Sequence, residues 1–113
     1  MDQKAAAAEI QPGGPRQDAR VVVQEGFYAG LEMPVQAAGL VIGRGREADL
    51  VIAESTISRT HARIDPGECG AWHVEDLGST NGTRLNGAPV SRQRLADGDE
   101  IRMGRLVVGI HLS

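Results

Sequence analysis

The apolar positions of this chain fall in short runs, none of them at helical spacing. Past the first eighteen residues they gather at 20–24, 31–36, 39–42, 49–52, 61–65, 72–75, 83–85, 100–103 and 106–112. Some runs alternate apolar with polar, as in Glu100-Ile101-Arg102-Met103; others are continuous, as in Leu40-Val41-Ile42. A period of two marks a half-buried strand, and a short continuous run between turns marks a fully buried one. Turn formers separate the runs: Pro66-Gly67, Asn81-Gly82, Asn86-Gly87 and Asp97-Gly98. Asn81-Gly82 reads as a tight turn, because both residues tolerate positive φ. The pattern predicts an all-β chain, a two-sheet β-sandwich of about ten to eleven short strands with its functional loops at one end.

The first eighteen residues break this pattern. Lys4-Ala5-Ala6-Ala7-Ala8-Glu9 is enough for a helical turn that is marginal in water, and Pro12-Gly13-Gly14-Pro15 ends it. This predicts a disordered tail or linker over 1–18 and a single domain over 19–113. No serine or threonine precedes Ser55. A chain of 113 residues can bury a core without staples. Its one cysteine, Cys69, excludes an internal disulfide framework and a thiolate-built metal site, and reads as an incidental loop thiol. No apolar run is long enough for a membrane helix, and the N-terminus lacks the apolar core of a signal peptide. Cytoplasmic residence without membrane attachment is the expectation.

Charge narrows the partners. The net charge of −3 disfavours bulk nucleic-acid binding. All but one of the twelve basic residues are arginine, which suits planar, two-pronged recognition of phosphate or carboxylate. Much of that bias is what a GC-rich coding sequence produces. Position tells more than number: Arg44, Arg46, Arg59 and Arg63 all stand at or beside expected loops.

Three segments carry the candidate chemistry. In Ile42-Gly43-Arg44, a guanidinium leaves the end of a strand, where it can fork onto a phosphate; alone, it reads as a solvated loop arginine, and only the two other segments reverse that reading. The stretch Gly43-Arg44-Gly45-Arg46-Glu47-Ala48 also fits a dinucleotide-binding fingerprint. That fingerprint needs a helix next, and the strand-like Asp49-Leu50-Val51-Ile52 follows instead. In Ser58-Arg59-Thr60-His61, a serine and a histidine three apart invite a hydrolase reading, with Asp76 as orienting group; no nucleophile elbow supports it. Asp76-Leu77-Gly78-Ser79-Thr80-Asn81-Gly82-Thr83 concentrates hydroxyls, turn formers and an amide, with neither a metal cage nor an obvious nucleophile. The amide of Asn81 offers both a donor and an acceptor, as an extended peptide requires. His61, His73 and His111 lack metal-ligand spacing. The carboxylates of Asp97-Gly98-Asp99 lack calcium-loop spacing.

In order and spacing, these three segments resemble the signature of the forkhead-associated domain, a phosphothreonine-binding β-sandwich. The resemblance covers roughly 19 to 112. It implies that Arg44 supplies charge to the phosphate and that Ser58 and Thr80 supply hydroxyls. A backbone N–H near Arg59 adds a donor, with the Arg59 side chain a lesser contributor. Asn81 would bond the peptide main chain, and Gly43, His61 and Gly82 would support the loops without touching ligand. The late turn at Asp97-Gly98-Asp99 would lie away from the ligand. The residue three after the phosphothreonine would be read by variable loops, for which 54–57 and the segment around Gly87 are candidates. The implied function is recognition of a phosphothreonine-containing protein or peptide downstream of a Ser/Thr protein kinase, with no cofactor, no metal and no catalysis. The alternatives are a protein-interaction scaffold of the same fold that ignores phosphate, and a small Ser/His hydrolase.

Overall fold

A computed structural model describes residues 17–113. The expected tail lies outside the described residues up to position 16; Gln17 and Asp18 are tied to the domain. Trp72 Nε1 donates to the Gln17 carbonyl at 2.9 Å, and Asp18 and Ser113 exchange backbone hydrogen bonds of 3.2 and 3.0 Å.

Eleven strands follow: β1 (Ala19–Val23), β2 (Glu32–Val35), β3 (Leu40–Gly43), β4 (Leu50–Val51), β5 (Ala62–Asp65), β6 (His73–Asp76), β7 (Thr83–Leu85), β8 (Ala88–Val90), β9 (Arg92–Arg94), β10 (Glu100–Met103) and β11 (Leu106–Leu112). They form two sheets, ordered β2-β1-β11-β10-β7-β8 and β4-β3-β5-β6-β9. Every pair whose register is defined is antiparallel except β3 with β4. The described residues include no helix, and so none long and apolar enough to cross a membrane.

The alternation in sequence becomes the inside and outside of each sheet. Ala19, Val21 and Val23 of β1 and Ile101 and Met103 of β10 point inward; Arg20, Glu100 and Arg102 face water. Facing them across the sandwich are Ile42, Ile64 and Val74. Nine of the strands coincide, to within about two residues at each end, with the apolar runs. Two strands have no such run. β9 is exposed at every position, and β8 is an edge strand carrying Pro89. β9 buries no face and β8 contributes only the half-buried Val90 to the core, so neither leaves an apolar period.

One expected turn is corrected. The tight hairpin turn is Asn86-Gly87, with φ of 50° and 90°, joining β7 to β8. Asn81 keeps a negative φ, and its neighbourhood is no hairpin: residues 77–82 carry the chain from β6 in one sheet to β7 in the other. This loop is shaped by the side chain of Asp76, which gathers the N–H groups of Gly78 and Ser79, both at 3.1 Å.

Candidate functional site

Short loops at one pole of the sandwich hold the sequence motifs together. The segment after β3, residues 44–49, lies against the segment before β5. The N–H of Arg44 donates to the Ser58 carbonyl and that of Gly45 to the Arg59 carbonyl, each at 3.0 Å. Such an approach leaves no room for a side chain on Gly43, whose Cβ would overlap the Arg59 carbonyl. The 77–82 loop closes over the same segment: the Thr80 N–H donates to Ser58 Oγ at 3.0 Å, and Asn81 Nδ2 donates to the Thr56 carbonyl at 2.8 Å. Arg44, Ser58, Arg59, Thr80 and Asn81 are thereby brought to one surface.

The bonds already made define those still open. Arg44 Nε donates to the Ile57 carbonyl at 3.0 Å. That contact fixes the plane of the guanidinium and leaves both terminal nitrogens pointing onward, the fork that matches a phosphate. Among the described residues, no carboxylate pairs with Arg44. Ser58 is held through its N–H, its carbonyl and its Oγ, yet its hydroxyl proton has no acceptor among the described residues. The backbone N–H of Arg59 is likewise without a partner there. The Arg59 side chain turns to Glu47, 3.4 Å away, in an exposed pair. Asn81 spends one amide hydrogen on Thr56 and keeps the other, together with Oδ1.

His61 is fully buried behind these loops. Its Nδ1 accepts the Ser58 N–H at 3.0 Å, so the ring proton sits on Nε2, which donates to the Gly82 carbonyl at 2.8 Å. One imidazole thus binds the 58–61 segment to the 77–82 loop. Gly82 itself has φ of 81°, a conformation that side chains resist. The catalytic triad geometry is not formed. His61 meets the main chain of Ser58, not Oγ, and Asp76 bonds Ser79 and Thr83. His73 and His111 are on β6 and β11, and no group of three potential ligands occurs among the described residues.

Asp76 was expected only as a loop former or orienting group, and it organises the pole. Beyond the two backbone donors, it accepts Ser79 Oγ–H and, at 2.7 Å, Thr83 Oγ1–H; Ser79 Oγ in turn receives the Gly82 N–H at 2.9 Å. Burial raises the pKa of Asp76, but hydrogen bonds from Ser79, Thr83 and Gly78 outweigh it and hold the carboxyl below its usual value. A lowered folded value contributes stability above the unfolded carboxylate pKa of about 4, and that contribution is lost as pH falls through the folded value. The wild-type protein is therefore expected to melt higher than Asp76→Asn at pH 7, by a margin that shrinks below about pH 4. Thermal melts of both proteins across that range check this; a constant margin would show that the charge on Asp76 contributes nothing.

Thr56 falls in the 54–57 segment expected among the variable loops, whereas Arg105 escaped the sequence reading. The Arg105 N–H, in the turn between β10 and β11, donates to Thr56 Oγ1 at 2.8 Å, bringing that turn to the same pole. The Asn86-Gly87 turn lies elsewhere. Thr83 at the start of β7 pairs with Met103, and Asn86 beyond its end bonds the Glu100 carbonyl, so Gly87 stands at the opposite pole. A short strand puts its two flanking loops at opposite ends, which is the signal that could have excluded Gly87.

A model of the FHA domain matches residues 40–104, more than half of the chain. The FHA domain-containing protein FhaB of Mycolicibacterium smegmatis is 38% identical over 90 residues, covering 79% of this chain and 57% of that protein. The oxoglutarate dehydrogenase inhibitor of Corynebacterium efficiens is 38% identical over 103 residues, covering 89% of this chain and 68% of that protein. A solved structure from a structural and functional study of phosphothreonine-dependent FHA domain interactions superposes with a TM-score of 0.77 at 31% identity, covering 85% of this chain and 97% of the other. The chain belongs to the forkhead-associated domain family. It spans a little over half to two-thirds of the length of these two relatives.

Proposed function

We propose that residues 19–113 act as a reader of phosphothreonine, binding a segment of a partner protein that a Ser/Thr kinase has modified. The observation that carries this reading is a set of donors aimed at one place. The two free nitrogens of Arg44, the hydroxyl proton of Ser58 and the N–H of Arg59 all lack partners among the described residues. A phosphothreonine brings about −1.5 to −2 charges and three acceptor oxygens, which such donors satisfy. Thr80 borders the phosphate, and Asn81 pairs with the peptide backbone through Oδ1 and its second amide hydrogen. Gly43, His61 and Gly82 keep the loops in place. The reading needs no cofactor, metal or chemical step, and membership of a family with a relative named as an inhibitor supports that. The reading puts the domain in the compartment where the modified partner is exposed, which we take to be the cytoplasm.

Calorimetry with a phosphothreonine peptide, its phosphoserine counterpart and its unphosphorylated twin tests the proposal. The phosphothreonine peptide binds and the unphosphorylated one does not. Charge cannot separate the two phosphopeptides, so any preference comes from the methyl group. Its burial contributes about 0.8 kcal/mol, and the stiffer χ1 adds to that, giving roughly a tenfold preference for phosphothreonine. Equal binding of the unphosphorylated peptide would favour a scaffold that ignores phosphate. Turnover of a generic ester would favour a hydrolase.

A further inference from the structure

The turn between β10 and β11 brings a second guanidinium to the binding pole. Thr56 links it to Asn81: the carbonyl of Thr56 takes the Asn81 amide at 2.8 Å, and its Oγ1 takes the Arg105 N–H at the same distance. The fit is close, since a Cβ on Gly104 would lie 2.5 Å from both oxygens of Thr56. The backbone of Arg105 is thus fixed one residue away from the amide proposed to hold the ligand's main chain.

The Arg105 side chain is free by comparison. It is 72% exposed, and its one ionic contact among the described residues is Nη2 to Glu54 Oε2 at 3.3 Å. Glu54 is the covered member of the pair, at 25% exposure, and the same Oε2 already accepts the N–H and hydroxyl of Thr56 at 3.0 and 2.7 Å. Those bonds from Thr56 come first in holding the Glu54 carboxyl below its usual range, with Arg105 contributing less. An approaching ligand therefore meets the cation before the anion, with Nε and Nη1 of Arg105 still unpaired among the described residues.

We propose that Arg105 gives the site a second anion contact, so that its preferred ligand is a phosphothreonine peptide with an aspartate or glutamate flanking the phosphorylated residue on the side that lies over Thr56. The inference rests on the phosphothreonine reading and names the ligand class within it. Arg44 takes the phosphate, Asn81 the main chain, and Arg105 a carboxylate beyond them. An exposed ion pair of this kind is worth a two- to fivefold change in affinity, larger at low salt.

The test uses neutral phosphothreonine peptides in which a single aspartate is moved through the positions on either side of the phosphothreonine. Each is titrated against the wild-type protein, Arg105→Ala and Arg105→Glu, with melting temperatures measured in parallel. Thr56 is held by the backbone of Arg105, so both variants keep the loop. One aspartate position should bind the wild type about two- to fivefold better than the neutral peptide. Measured for each protein against its own binding of the phosphopeptide with uncharged flanks, that advantage disappears in Arg105→Ala and reverses in Arg105→Glu. Phosphate-dependent binding with no favoured aspartate position, or an advantage that survives Arg105→Ala, overturns the inference alone. Binding that ignores the phosphate overturns the reading beneath it as well.

Discussion

Arg44→Ala abolishes phosphopeptide binding while the domain stays folded. A hydrogen bond to a charged group contributes about 1.5–3 kcal/mol, and a guanidinium fork makes two. A loss of about 3 kcal/mol or more weakens binding over a hundredfold, beyond the range of an ordinary titration. The cost to stability is small, because the side chain is exposed and, among the described residues, its internal bond is the single one to the Ile57 carbonyl, worth about 1 kcal/mol. Arg44→Lys recovers only part of the affinity, since an ammonium supplies charge without the planar fork. Calorimetry paired with a thermal melt gives the answer. Affinity close to wild type in the alanine variant would remove Arg44 from the site.

Gly43→Ala has the largest expected effect on the fold itself. Gly43 has an ordinary φ, so the reason for glycine is space. An added methyl would overlap the Arg59 carbonyl oxygen and lie 2.7 Å from its carbon, both of them backbone atoms that no rotamer change can move. Relief requires β3 to separate from the 58–61 segment, at the expense of the Arg44–Ser58 and Gly45–Arg59 backbone bonds. Overpacking alone costs about 1–3 kcal/mol, and each lost backbone bond adds about 1 kcal/mol. The melting temperature should drop by more than about 10 °C, with binding lost alongside. Gly82→Ala is the control. It meets nothing within 4 Å and pays only for φ of 81°, about 1–2 kcal/mol. If Gly43→Ala melts as high as Gly82→Ala, the close approach is more compliant than its geometry implies.

Sequence pattern revealed those parts of the fold that bury a face. β1 and β10 alternate visibly, and β3 shows as a continuous run, because one or both of its faces are covered. β8 and β9 were not legible: Arg92-Gln93-Arg94 is held by pairing with β6, and main-chain pairing leaves no trace in side-chain type. The site divides in the same way. Arg44, Ser58, Thr80 and Asn81 stood out because the three segments that carry them match, in order and spacing, the signature of a known family, although each residue alone is ordinary in a turn. The carbonyls of Thr56 and Ile57 that aim Asn81 and Arg44 belong to the backbone and could not be read. Asn81-Gly82 reads as a tight turn because the dipeptide is locally suited to one, whereas the bonds collected by Asp76 bend the loop differently.

The pairing of Asp18 with Ser113 bears on how the domain is mounted. β11 starts beside the Arg105 turn and runs away from the reading pole, and the Leu112 N–H donates to Asp97 Oδ1 in a remote turn. Entry and exit of the chain therefore stand side by side at the far end. The described chain begins and ends at that end, so the domain is mounted like a plug on a lead. Its grip is independent of what the lead is fastened to, and lead length sets how concentrated the plug is around a socket on the same assembly. Fusing a bulky protein after Ser113 should leave recognition at the front untouched.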